Sequence, residues 1–255
     1  MDYQAKSLVN TVLPTTLCHH HVVLHPSGAL KLPALRTLLV ADAHFGKSSS
    51  FRALGVPVPS GTTTENLNVL TQLLHSTGAQ RIIFLGDFLH SARAHAASTQ
   101  GAIAAWRAQH AAVQLTLVRG NHDAHAGDPP AALGITVVDE PLMLRAAQDT
   151  ANPANPASPA SAAPLALCHH PQTIAGAYVL AGHWHPCITV QGRGRDRLRL
   201  PCFWLGDEAA HLVGILPAFG SFTGMHPIER RLGKPSGAGR DRVFAIAGDA
   251  VRALP

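Results

Sequence analysis

Five polar clusters, each at the end of a short apolar run, constrain the fold and function of this chain more than any other feature. The runs are rich in Val, Ile and Leu and short enough to be buried strands. The clusters are Asp42-Ala43-His44, Gly86-Asp87, Gly120-Asn121-His122-Asp123, Cys168-His169-His170-Pro171 and Gly182-His183-Trp184-His185. In open α/β sheets, ligands collect at the carboxyl ends of the strands. The clusters therefore predict a shared site at such an edge.

The apolar runs alternate with helix-like segments in the first half of the chain. The predicted strands cover residues 37–40, 81–85, 114–118, 135–138, 165–168 and 178–181. Leucines at helical spacing predict a helix over 63–76, and the Ala-rich stretch 96–110 predicts another. This alternation indicates an α/β layered fold. From residue 165 onward, turns link the strands, so we expect two β-rich halves stacked face to face, with helices outside.

Composition sets wider limits on the class of protein. The chain has 255 residues, of which 46% are hydrophobic and 14% charged, and we interpret residues 1–255 as a single globular domain. The net charge of +5 is compatible with an anionic partner, either nucleic acid or a phosphorylated metabolite. Two stretches without periodicity are predicted to be flexible, a Pro/Ala/Ser/Asn-rich insertion at 145–164 and the segment 229–242.

Cysteine spacing and hydropathy argue against several alternatives. The four cysteines are isolated, and no Cys-x-x-Cys pair indicates a zinc knuckle or a redox motif. The first residues lack the basic and apolar regions of a signal peptide. No apolar stretch approaches the ~20 residues that a membrane-spanning helix needs. We therefore expect a cytoplasmic enzyme that does not enter a membrane.

The residue types in the five clusters suit a pair of divalent cations. Such a site needs carboxylate, amide oxygen and imidazole ligands together. In Asp42-x-His44 and His183-x-His185, alternate residues of an extended chain would point to the same side. Asp87 is the natural bridge, because two dications ~3.5–4 Å apart repel each other unless they share negative charge. Each cluster alone is weak evidence, since a single Gly-Asp is more often a turn.

The set of clusters resembles the calcineurin-like metallophosphoesterase superfamily, whose pattern is D-x-H, G-D, G-N-H-[DE], H and G-H-x-H. This resemblance implies a four-layer α/β/β/α sandwich with two mixed sheets. It also implies two divalent metal ions, with manganese expected before iron or zinc. One ion would be held by Asp42, His44, Asp87 and His185. The other would be held by Asp87, Asn121, His169 and His183.

A narrower resemblance extends over most of the chain. Residues 39–47, 51–62, 127–130 and 217–225 are similar to the ligase-associated DNA-damage-response endonucleases of the PdeM type. The resemblance implies a phosphodiester substrate, with DNA expected, and a functional association with a DNA ligase and a helicase. Two departures from that family are Ala43, where Leu is common, and the insertion at 145–164. Neither changes the implied ligand set.

The predicted reaction is hydrolysis of a phosphate ester, with His122 as the catalytic residue beside the substrate oxygens. His122 would protonate the leaving oxygen or stabilise charge on the phosphoryl group. Asp123 either orients His122 or caps the following turn. His169 is preferred over His170 as the ligand because the superfamily pattern places the ligand before an x-Pro pair.

Substrate contacts and substrate class are less constrained. Lys47, Arg52 and Arg119 are candidates for phosphate binding, and for each of them a solvated surface cation is an equally good interpretation. Besides a DNA endonuclease, the sequence is compatible with a metallophosphoesterase acting on a small nucleotide or a nucleotide-linked metabolite. A non-catalytic binding scaffold is disfavoured, because every expected ligand is present.

Overall fold

Two β-sheets form the frame of the molecule in a computed structural model of the chain. The structure describes residues 11–58, 61–144, 163–192, 194, 196–208, 212–228 and 241–255. Most of the predicted insertion at 145–164 and of the predicted flexible segment at 229–242 lies outside the described residues.

The first sheet combines an antiparallel edge with a parallel half. Its strands follow the chain order β1 (Leu13–Leu17), β2 (His20–Leu24), β3 (Leu30–Leu32), β4 (Thr37–Val40), β5 (Arg81–Leu85), β6 (Gln114–Val118) and β7 (Ile135–Val138). Strands β1 to β4 pair antiparallel and β4 to β7 pair parallel. The described helices are α1 (Lys47–Ala53), α2 (Thr62–Thr77), α3 (Ala97–Gln109) and α4 (Asn121–Ala126). They occur in the connections between parallel strands, where the chain must cross back along the sheet.

The second sheet is also mixed. Its strands are β8 (Leu142–Leu144), β9 (Leu165–Leu167), β10 (Tyr178–Ala181), β11 (Pro186–Gln191), β12 (Arg197–Leu205), β13 (Val213–Ile215), β14 (His226–Pro227), β15 (Arg242–Ala247) and β16 (Ala250–Ala253). The order is β14-β11-β12-β13-β10-β9-β8, and the β15–β16 hairpin pairs with β12. Strands β9, β10 and β13 are parallel to each other.

The core has two layers because alternate side chains of a strand point to opposite faces. In β5, Ile83 and Leu85 face the second sheet, whereas Ile82 and Phe84 face the helices. All four side chains are fully buried. Truncating a buried side chain of this size to Ala costs about 2–5 kcal/mol, so both layers hold the strand ends in place.

The predicted α/β sandwich with two mixed sheets is confirmed. The predicted strands at 37–40, 81–85, 114–118, 135–138 and 178–181 have the predicted bounds, and the predicted strand at 165–168 ends at residue 167. The predicted helices correspond to α2 and α3 within one residue at each end. All four described helices lie within residues 47–126 and hence in the connections of the first sheet. In the described part of the chain, no helix is long and apolar enough to cross a membrane.

Candidate metal centre

All seven predicted metal ligands follow strands whose carboxyl ends meet at the junction of the two sheets. The first sheet supplies four of them, Asp42 and His44 after β4, Asp87 after β5 and Asn121 after β6. The second sheet supplies the other three, His169 after β9 and His183 and His185 after β10. The fold therefore brings together residues up to 143 positions apart in the chain.

The backbone is left-handed at five of these seven residues. Asp42, His44, Asp87, His183 and His185 have φ between 45° and 68°. Non-glycine residues seldom adopt this conformation, and such strain concentrates at functional sites. The prediction that Asp42 and His44, and likewise His183 and His185, lie on extended chain was therefore wrong. Their side chains converge because the chain turns sharply at each ligand.

Two glycines leave the space that the ligands occupy. A Cβ on Gly86 would lie 2.1 Å from Nδ1 of His169, and one on Gly120 would lie 2.4 Å from Oδ1 of Asp87. Gly86 also has a φ of 79°. The role predicted for these glycines was tight turning, and the structure adds that any side chain would collide with His169 or Asp87, two of the predicted ligands.

Asp87 lies between two groups of donor atoms. Its Oδ2 is 3.6 Å from Nε2 of His44, and its Oδ1 is 3.5 Å from Nε2 of His169. The Oδ1 atom also accepts a hydrogen bond of 2.9 Å from the backbone N–H of His122. The carboxylate is almost fully buried, and burial raises its pKa. Each oxygen thus faces a different histidine, as a bridging ligand requires.

One of these groups consists of His169, Asn121 and His183. Nδ1 of His169 lies 3.1 Å from the carbonyl oxygen of Leu85, which can only accept a hydrogen bond, so Nδ1 carries the proton. Nε2 therefore has a lone pair that can bind a metal ion. That Nε2 is 2.8 Å from Oδ1 of Asn121 and 3.0 Å from Nδ1 of His183. Three lone-pair-bearing atoms therefore converge beside Asp87.

The other group consists of Asp42, His44 and His185. Nε2 of His185 is 3.4 Å from Oδ1 of Asp42, and one ligand atom from each of the three residues lies within 4.8 Å of the others. The backbone N–H of His183 donates to Oδ2 of Asp42 at 2.9 Å. Nδ1 of His185 donates to the carbonyl of Gly224 at 3.0 Å, which leaves Nε2 free to ligate.

The residues present fit divalent cations on three observations. Nε2 of His44 is buried without a hydrogen-bond partner, although buried polar atoms are normally satisfied. Two buried carboxylates, Asp42 and Asp87, lie together with an amide oxygen and neutral imidazoles, which is a typical ligand set for such ions. Burial lowers the pKa of His44, and burial together with neighbouring histidines lowers that of His183 to about 4. Both imidazoles are therefore in the neutral form that binds a cation.

His122 lies beside this cluster with its side chain 38% exposed. Its Nδ1 is 2.6 Å from the carbonyl oxygen of His90, which sets the tautomer and leaves Nε2 facing the cluster, 3.9 Å from Oδ2 of Asp87. The ring of His90 stacks on that of His122 with centroids 5.0 Å apart, and the ring of Phe51 stacks on that of His90 with centroids 5.9 Å apart. His122 is thus held in one orientation while its Nε2 remains accessible.

Two alternatives from the sequence can be compared with the geometry. Asp123 accepts hydrogen bonds from the backbone N–H groups of Leu89 and Gly120, at 3.1 and 3.0 Å, so it caps the turn before α4. Burial raises its pKa to about 6. His169 is fully buried and faces Asn121, whereas Nδ1 of His170 binds Oε1 of Glu140 at 2.8 Å. The geometry favours the capping role and favours His169 as the ligand.

The three predicted phosphate-binding cations differ in their surroundings. Lys47 begins α1, and the charges of Asp87 and Asp42 act on its pKa, although burial outweighs them and lowers it. Arg52 is exposed on α1, and its Nη2 is 3.3 Å from Oγ of Ser49. Arg119 is held by two carboxylates, with Nη2 2.9 Å from Oδ2 of Asp128 and Nη1 in contact with Asp139. Arg119 is therefore the least suited of the three to bind a phosphate.

Two residues at the site were not identified from the sequence. His90 follows Asp87 by three residues, a spacing that could have drawn attention to it. Oε2 of Glu140 accepts hydrogen bonds from the backbone N–H groups of His169 and His170, at 2.7 and 2.9 Å, and so positions the loop after β9. Glu140 lies 29 residues before His169, and no spacing rule connects them.

This fold and this cluster together fit the metallophosphoesterase class of protein. Over 96% of its length, the chain is similar to the whole of a nuclease, MPE from Pseudomonas putida, with 37% identity and a TM-score of 0.73. The chain belongs to the same protein family as that nuclease.

Two further solved structures are more distant. A protein of unknown function from Aquifex aeolicus is 15% identical, with 62% of this chain and 82% of that one covered and a TM-score of 0.38. A phosphoesterase from E. coli is 13% identical, with 83% and 88% covered and a TM-score of 0.36. No protein-family model and no curated protein matches the sequence.

Proposed function

We propose that this protein is a metal-dependent phosphodiesterase that cleaves DNA. The observation that carries the proposal is the placement of Asp87, whose two oxygens face two separate groups of imidazole, amide and carboxylate donors. Membership in the family of a nuclease supports a nucleic-acid substrate, and the net charge of +5 suits a polyanion.

In this proposal the seven side chains hold two divalent cations, with Asp87 shared between them. Asp42, His44 and His185 complete one set, and the other is completed by Asn121, His169 and His183. Two such cations, when bound, would lower the pKa of a water molecule and neutralise charge on the phosphoryl oxygens. The mixture of imidazole and oxygen donors suits manganese, with iron and zinc as alternatives.

The protein's own groups would orient the substrate and move a proton. His122 presents Nε2 toward the cluster while the His90 carbonyl holds Nδ1–H, so it is the doubly protonated ring, the imidazolium, that can give its Nε2 proton to the leaving oxygen and become neutral. Lys47 lies near enough to Asp87 and Asp42 to attract an anionic phosphate to the same place. The left-handed turns keep the ligand side chains in position before substrate arrives.

The biological setting is proposed from the resemblance to the PdeM-type endonucleases. It comprises cytoplasmic DNA repair, an endonucleolytic mode of cleavage and a functional association with a DNA ligase and a helicase. The Pseudomonas putida relative supports the nuclease part of this proposal by its name. The DNA-repair setting and the partners remain predictions.

A substrate panel tests the proposed function. Manganese-loaded protein would be incubated with single-stranded DNA, double-stranded DNA, bis-p-nitrophenyl phosphate and the corresponding monoester. We expect cleavage of DNA and of the diester, each abolished by chelation. Activity confined to the monoester or to a small nucleotide would replace the proposal by the small-metabolite alternative. No activity with any tested ion would favour the binding scaffold.

A further inference from the structure

Phe222 lies exposed beside the proposed metal centre. Phe222 is 51% exposed, and no other Phe, Tyr or Trp among the residues that the structure describes is exposed. It belongs to the segment 217–225, here called the rim loop. None of the residues of this loop has a role in the proposed hydrolysis. An exposed aromatic side chain next to a polar cleft commonly marks a binding surface.

One end of the rim loop is attached to the loop that carries Asp42. The backbone N–H of Phe219 donates to the carbonyl of Ala41 at 2.8 Å, and that of Gly220 donates to the carbonyl of Asp42 at 3.1 Å. A Cβ on Gly220 would lie 2.3 Å from the carbonyl oxygen of Ala43, so only glycine allows this approach. The position of the rim loop is therefore tied to the ligands.

The other end is attached to the loop that carries His185. Nδ1 of His185 donates to the carbonyl of Gly224, and the backbone N–H of His226 donates to the carbonyl of His185 at 3.1 Å. Between these attachments, Phe222 adopts a left-handed φ of 63°, which bulky residues rarely do. Attachment at both ends fixes where the ring is presented.

A cavity of about 230 Å³ lies between the rim loop and residues 185, 186 and 201, and one of the proposed metal ligands, His185, is part of its wall. His185, Phe222, Thr223 and Met225 are among its lining residues, and Met225 is 37% exposed. The volume is below the ~300–1,000 Å³ that is usual for drug-sized ligands, so it suits one planar ring system. His185 borders both this cavity and the proposed metal centre, so the two sites adjoin each other.

We propose that Phe222 binds nucleic acid by stacking on the base next to the scissile phosphate, with Met225 completing the wall of the base site. This inference rests on the proposed nuclease function. Every base has a π-face, so such a contact would be tolerant of sequence. It would select polynucleotides over small phosphoesters that lack a base.

Two substitutions distinguish the contribution of the aromatic ring from that of the left-handed backbone conformation at position 222. Phe222→Asn removes the ring and suits a left-handed φ, because Asn tolerates that region. Phe222→Tyr keeps a stacking ring and is the matched control. We expect the Kd for a fluorescently labelled single-stranded oligonucleotide, measured by anisotropy on manganese-loaded protein that also carries His122→Ala to slow cleavage, to rise about tenfold in Phe222→Asn and to change little in Phe222→Tyr.

A second measurement needs no variant. The wild-type protein should bind an oligonucleotide made of abasic residues about tenfold more weakly than one of the same length with bases, since one stacked base contributes a factor of roughly 5 to 150. Equal binding of the two oligonucleotides would overturn the inference, and so would unchanged binding by Phe222→Asn. A partner protein would then be the better occupant of the exposed ring.

Failure of this inference is distinguishable from failure of the proposed function. Hydrolysis of bis-p-nitrophenyl phosphate by the manganese-loaded wild type tests the function, and the two anisotropy measurements test base stacking without hydrolysis. Phe222→Asn should keep its manganese content near that of the wild type. A loss of bound manganese in that variant would show that the rim loop merely supports His185 and would contradict the substrate-binding role.

Discussion

The two sheets contribute different chemistry to one site. The first sheet supplies both carboxylates and the amide, Asp42, Asp87 and Asn121, together with one imidazole from His44. The second sheet supplies only imidazoles, from His169, His183 and His185. Negative charge therefore lies on one side of the junction, and the neutral ligands that complete the site lie mostly on the other. Cations bound there would hold the sheets together as well as activate the substrate.

The two sheets also differ in how directly the sequence predicts their part of the site. Strands β4, β5 and β6 are parallel neighbours, and residues after their ends must lie at one edge. The second sheet reaches the junction through β9 and β10, which are parallel to each other, whereas β9 pairs antiparallel with β8 on its other side. Substitutions on the two sides of the junction can therefore test whether both contribute to a single centre.

The largest effect is expected on the carboxylate side. Asp87→Asn should abolish hydrolysis of bis-p-nitrophenyl phosphate and weaken binding of both cations, because the amide lacks the charge that two cations would share. Metal analysis and a rate assay would measure both effects. Wild-type activity in this variant would rule out the shared-ligand assignment.

His122→Ala should reduce kcat by about 10²–10⁴-fold through loss of the proton donor, with metal content unchanged. The matched variant His122→Asn, which can still donate a hydrogen bond, should recover little of the proton transfer. If His122→Ala instead lost metal, His122 would be a ligand and the assignment of roles would need revision.

Removal of metal should lower the melting temperature, because ligands from both sheets would lose their shared partner. At a free concentration of 100 times Kd, one bound ion stabilises the folded state by about 2.7 kcal/mol. His183→Gln, on the second sheet, should reduce the decrease in melting temperature that chelation causes. A shift of wild-type size in that variant would mean that the second sheet does not contribute His183 to the centre.

A smaller effect is expected from the positively charged side chains around the site. Lys47→Ala should raise KM for the diester roughly tenfold if its charge attracts the phosphate, since hydrogen bonds to charged groups contribute about 1.5–3 kcal/mol. Arg119→Ala is the control, because Asp128 and Asp139 already hold its guanidinium. Equal changes in KM would contradict the distinction drawn between them.

The smallest effect is a dependence on pH in the metal-free protein. His183 has an ordinary pKa near 6.5 when unfolded and about 4 when folded. Between these values the unfolded chain binds more protons, so this residue makes stability fall as pH falls from 6.5 to 4. The buried Asp123, with its pKa raised to about 6, acts in the opposite direction. The denaturant midpoint of the wild type should therefore fall more than that of His183→Gln as pH falls from 6.5 to 4, and a constant difference between the two would argue against a neutral His183.

The sequence predicted the bounds of β4, β5 and β6 well because each of these strands is a short apolar run ended by a polar cluster. The same rule selected the residues that are proposed as ligands, since the clusters carry them, and the structure places these residues together. It did not predict the left-handed backbone at Asp42 or His185, because side-chain alternation assumes an extended chain. Nor did it predict Glu140, whose role depends on a tertiary contact with the loop after β9. Local patterns gave the elements, and long-range packing determined how the ligands are held.

The most direct measurement is anomalous diffraction from crystals of the protein soaked in manganese. We expect two manganese peaks at the junction of the sheets, on either side of Asp87 and ~3.5–4 Å apart, as in other two-metal sites. His44 and His185 should border one peak, with Asn121 and His169 bordering the other. A single peak, or peaks away from Asp87, would contradict the central claim.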